Sequence, residues 1–70
     1  ESLSEISVYP NPVSVNSYIT ILAPNLEQWQ LFDISGQLIS SGNSNRFSIA
    51  TSGIYILRIN KTYNYKIVVF

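Results

Sequence analysis

Neither cysteine nor histidine occurs in this 70-residue chain, and methionine is missing too. Without cysteine there is no disulfide framework and no thiolate metal site. Without histidine, the commonest general base and the commonest imidazole metal ligand are lost together. Charge is scarce. Four basic and four acidic residues, scattered singly, give a formal net charge of zero. A nucleic-acid footprint wants a basic stripe and a membrane anchor wants a polybasic cluster. The chain has neither, so nucleic acid is not an expected partner. No apolar run approaches the roughly 20 residues that a membrane helix needs. Glu1 is followed by polar residues rather than a secretory leader. If the protein is exported, its leader is expected on a larger parent chain, with residues 1–70 forming a single domain of that parent.

The inventory for catalysis is equally short. Glu1, Glu5, Glu27 and Asp33 are the only carboxylates. Glycoside cleavage needs two carboxyl groups facing each other across a cleft, and a chain this short has little room for one. A serine nucleophile needs a base, for which only Lys61 and Lys66 are available. Calcium wants several clustered oxygen ligands, and Asp33 with Ser35 is not a cluster. Gly36, Gly42 and Gly53 lack the strand–glycine–helix context of a phosphate loop. The expectation is no enzyme, no metal and no cofactor. Asn60-Lys61-Thr62 fits the glycosylation sequon, although a turn of this composition is expected there anyway.

What is present points to a folded β structure. The chain is 46% hydrophobic and 13% aromatic, whereas disordered tails are poor in aromatic and β-branched residues. Apolar spacing repeatedly has period two, and no helix is expected. Ile6 to Tyr9 reads as a short strand, stopped by Pro10-Asn11-Pro12. Ser17 to Leu22 alternates, with Ile19 and Ile21 on one face. Gln28 to Ile34 puts Trp29 and Leu31 on one side and Gln30 and Phe32 on the other. Asp33 to Gly36 is a hairpin tip, with Asp33 as an Asx-type turn residue and Gly36 at positive φ. Leu38 to Ser40 returns as its partner, and Ser41 to Asn45 reads as a polar loop. Arg46 to Ile49 is a short strand with Phe47 and Ile49 on one face.

Gly53 to Asn60 is the most apolar strand, and its nearly continuous run suits a central strand covered on both sides. Tyr63 to Phe70 closes the chain with Tyr63, Tyr65, Ile67 and Val69 on one face. Roughly seven short strands, with turn signals about every ten residues, predict an antiparallel β-sandwich. Trp29 and five tyrosines raise the alternative of a carbohydrate-binding or adhesive module with an exposed aromatic row, although the alternation sends several of them inward.

Four segments in order carry a resemblance. They are Tyr9-Pro10-Asn11-Pro12 within 8–13, the hairpin Leu31 to Ile39 with Asp33 and Gly36, the strand Ser52 to Ile59 with Gly53, Ile54 and Tyr55, and the closing Lys66-Ile67-Val68-Val69. Together they resemble the type A C-terminal sorting domain of the type IX secretion system of Bacteroidetes. The resemblance implies an Ig-like sandwich fused to the C-terminal side of a cargo. The cargo would cross the periplasm, pass the outer-membrane translocon, and reach the cell surface or the medium. A surface cysteine peptidase, sortase-like in role, would then remove the domain.

Arg58, Lys66, Ile67, Val68, Val69 and Phe70 are the expected recognition residues. The expected mode is strand addition to an open edge of the last strand, with Arg58 and Lys66 adding charge selectivity. Such an edge would also allow a weak homodimer.

Overall fold

The computed structural model describes residues 6–70. Seven strands follow in order: β1 (Ser7–Tyr9), β2 (Tyr18–Leu22), β3 (Trp29–Asp33), β4 (Leu38–Gly42), β5 (Arg46–Ser48), β6 (Gly53–Ile59) and β7 (Tyr63–Val69). They form two antiparallel sheets, ordered β1-β2-β5 and β4-β3-β6-β7. The expected all-β sandwich of about seven strands is therefore the fold. Two hairpins, β3-β4 and β6-β7, build the larger sheet, and the chain crosses between sheets at β2–β3, β4–β5 and β5–β6.

The period-two alternation sets the core. From the smaller sheet come Ile19, Ile21 and Phe47, and from the larger come Leu31, Leu57, Ile59 and Ile67. Six of these seven side chains are buried to within 1% of full coverage, and burial of one such side chain stabilises by about 1.5–3 kcal/mol. Trp29 stacks on Phe47 with ring centroids 4.5 Å apart, and its indole N–H donates to the Ser44 carbonyl at 2.8 Å. The buried Tyr55 hydroxyl donates to the Thr51 carbonyl at 2.7 Å. The two polar tips within the core edge thus find partners, as burial demands.

Two expectations need correction. The polar stretch from Ser41 is not all loop, because β4 continues through Gly42 opposite Trp29. A side chain at 42 would require the Trp29 ring to shift, since a Cβ would lie 2.9 Å from its Cζ2. The second concerns β6, which is central in pairing but covered on one side only. Tyr55, Leu57 and Ile59 are buried, whereas Ile54 and Arg58 are exposed and Ile56 is half-buried. With only two layers, no described element packs over that outer side.

Candidate recognition surface

Asn11 does something that its position between two prolines conceals. Its side-chain Nδ2 donates to the Lys66 carbonyl at 2.7 Å, and its Oδ1 accepts from the Val68 N–H at 3.0 Å. Next along the chain, the Val13 N–H donates to Val68 O and the Phe70 N–H donates to Val13 O, both at 2.9 Å. The Val15 N–H then donates to Phe70 O at 2.9 Å. Val13 and Val69 form a parallel bridge. A residue in a parallel ladder donates to one neighbour's carbonyl and accepts from the N–H two residues on. Val13 does this with its backbone, and Asn11 repeats the pattern one step earlier with its carboxamide.

Residues 11–15 therefore strap the outer edge of β7 from Lys66 to Phe70. The expected open edge is closed where recognition residues were placed, and strand addition or homodimer pairing would have to displace five hydrogen bonds there. The β7 backbone groups turned outward alternate by two residues, so Asn64 faces the same edge beyond the strap.

The expected recognition residues divide by face. Ile67 and Val69 are core residues, at 0% and 3% exposure. Arg58, Lys66 and Phe70 are exposed, and Val68 is half-buried. Cross-strand register puts Ile54 opposite Val68, Ile56 opposite Lys66, and Arg58 opposite Asn64. It also puts Phe32 opposite both Ile56 and Leu38. The outer face of the larger sheet is thus an apolar band with two cations at diagonal positions on β6 and β7.

Arg58 is held in place. Its guanidinium lies over the Phe32 ring at 5.1 Å from the centroid, and its Nε donates to Asn64 Oδ1 at 3.2 Å. Beside it runs a groove of about 240 Å³ lined by Phe32, Asp33, Ile34, Gly36, Ile56 and Arg58. Sequence reading placed Arg58 and Lys66 but missed Phe32 and Ile56. The signal available was the second period-two face of β3 and β6.

The hairpin at one end of the groove is as expected. Asp33 Oδ1 accepts from the Ser35 N–H at 2.9 Å, the Ser35 hydroxyl at 2.6 Å and the Gln37 N–H at 3.0 Å. The Ser35 hydroxyl first, and the Gln37 N–H next, hold the Asp33 carboxyl below its ordinary pKa. Gly36 has φ +94°, which a side chain would strain. Gly53 starts β6, and Ile54 and Tyr55 follow on its opposite faces. Tyr9 ends β1 exposed, and the peptide bonds before Pro10 and Pro12 are both cis.

Asn60 of the sequon is occupied. Its Oδ1 accepts from the Glu27 and Gln28 N–H groups, and its Nδ2 donates to Asn25 O. The aromatic residues are spread over the molecule: Trp29 and Tyr55 are buried, Tyr9 and Tyr18 share the outer face of the smaller sheet, and Tyr63 opens β7 on the other sheet. Among the described residues no group of three acidic or otherwise metal-ligating side chains occurs. Glu1 and Glu5 lie outside the described residues.

One family model, described as a secretion system C-terminal sorting domain, matches residues 7–69. The chain belongs to this family. No curated protein and no solved structure matches it. As a sorting domain it is a secretion signal for type IX secretion, recognised by that machinery and fused to the C-terminal side of a cargo. It marks a protein bound for the cell surface or the extracellular space. The family is one of sorting signals and not of enzymes. All four motif segments of the sorting domain fall inside the matched span. They occupy the β7 strap, the β3-β4 hairpin, β6 and β7.

Proposed function

We propose that this domain carries a cargo from the periplasm through the type IX outer-membrane translocon, and that a sortase-like peptidase removes it at the surface. The machinery reads the folded domain on the outer side of β6 and β7, through Arg58, Lys66 and Phe70 with Val68 beside them. Ile67, Val69 and Tyr55 hold that surface from beneath, and Ile54 lies on it beside Val68. The observation that carries this reading is the family match across almost the whole chain, 7–69. The self-contained two-layer core supports it, because a tag that works on any cargo must fold without help from that cargo.

The test is a fusion of residues 1–70 to a periplasm-targeted fluorescent protein in a bacterium with an active type IX system. Fluorescence at the surface and in the medium is compared with that of a strain lacking the translocon. Export only in the first strain is the expected result. A folded fusion retained in the periplasm of both strains would overturn the reading.

A further inference from the structure

A signal must be touched by something, and the strapped edge of β7 leaves its sheet face as the surface on offer. Phe32 and Ile56 pair across β3 and β6 at the middle of that face, and both are only half-buried. Ile34 and Ile54 extend the apolar area, at 79% and 43% exposure. A solvated β-sheet face is ordinarily polar, so an apolar one rimmed by charge reads as a contact surface.

The charge says what kind of contact. Arg58 spends one donor on Asn64 and lies flat against Phe32. Four of the five N–H donors of a guanidinium remain for a partner, on a planar fork already immobilised. Such a fork matches a carboxylate in two parallel hydrogen bonds, and preorganisation lowers the entropy lost on binding. Lys66 stands diagonally across from it on β7. The carboxylate at the hairpin end, Asp33, has one oxygen committed to Ser35 and Gln37. The other described cations lie elsewhere: Arg46 on the smaller sheet, stacked on Tyr18, and Lys61 in the β6-β7 turn.

We propose that this face docks an acidic, apolar-centred protein surface of the secretion machinery, with an apolar side chain in the groove beside Phe32 and Ile56 and a carboxylate on the Arg58 fork. The inference rests on the recognition reading above and specifies the chemistry of the partner. It also sets the mode, which is face docking without displacement of the strap.

The experiment uses the same 1–70 fusion, with the unsubstituted domain as reference. The double variant R58E/K66E reverses both cations of the face, and R46E/K61E makes the same change in net charge elsewhere. R58K keeps the charge but loses the fork. Circular dichroism and thermal melting check that each variant folds. Export of R58E/K66E should fall by about tenfold or more, since like charges are then juxtaposed. R58K should fall between the two, and R46E/K61E should match the unsubstituted domain.

Equal loss in both double variants, or none in R58E/K66E, would overturn the proposal. So would cosedimentation of the domain with vesicles of phosphatidylcholine and phosphatidylglycerol that R58E/K66E abolishes, because the acidic partner would then be lipid. If the unsubstituted fusion itself stays in the periplasm, the sorting reading fails first and takes this one with it.

Discussion

Replacing Asn11 by alanine deletes both halves of its ladder mimicry at once. Two hydrogen bonds at about 0.5–1.5 kcal/mol each amount to a loss of about 1–3 kcal/mol. In a domain of this size each kcal/mol moves Tm by about 4–8 °C. Asn11→Asp should fare no better, because the carboxylate keeps the acceptor for Val68 but sets an oxygen against the Lys66 carbonyl. Melting curves of both variants that overlay the original would show that the strap does not depend on this side chain. Asp33 adds a pH signature. Its carboxyl titrates below the ordinary value of 3.8 in the folded state. The stabilisation is therefore complete above that unfolded value and is lost as pH falls through the lower folded one. Urea midpoints measured down an acid series should decline through this window, and Asp33→Asn should flatten that part of the decline.

At the scale of the element, β4 shows why sequence and strand part company. Period two identifies strands whose two faces differ in polarity, as in β2, where Ile19 and Ile21 alternate with Tyr18 and Thr20. Ser41 and Gly42 offer no such contrast, so the end of the strand reads as a loop even though both residues pair with β3. Gly42 is there because the Trp29 ring, clamped by Phe47 and Ser44, fills the space above it. Gly42→Ala should force that ring aside and destabilise by about 1–3 kcal/mol. A denaturant titration followed by tryptophan fluorescence would register both the shift and the altered ring environment. An unchanged midpoint would mean that the indole can swing freely. The same limit explains the misreading of β6. An apolar run states that a strand resists water, but only the number of layers states how many sides are covered.

For the whole molecule, most of the sandwich was legible and the closure was not. The strands, their inward faces and the hairpins follow from local patterns. The strap joins residues more than fifty positions apart, and no periodicity encodes that. Resemblance drew attention to Tyr9-Pro10-Asn11-Pro12 without saying that Asn11 reaches β7. The closure also changes what a truncation means. Removing Lys66 to Phe70 deletes recognition residues, but it also removes Ile67 and Val69 from the core and leaves residues 11–15 without a strand. That deletion should lose its cooperative melting transition and its β circular dichroism, and a truncated domain that still melts cooperatively would show that the strap is dispensable. There is a consequence for synthesis. A ribosome delivers Asn11 to Val15 well before Lys66 to Phe70, so the early segment waits for a strand made more than fifty residues later. A chain abandoned before that point cannot close its sheet and has no finished face to present. The badge is legible only on proteins whose manufacture has run through it, and the export machinery is thereby spared unfinished goods.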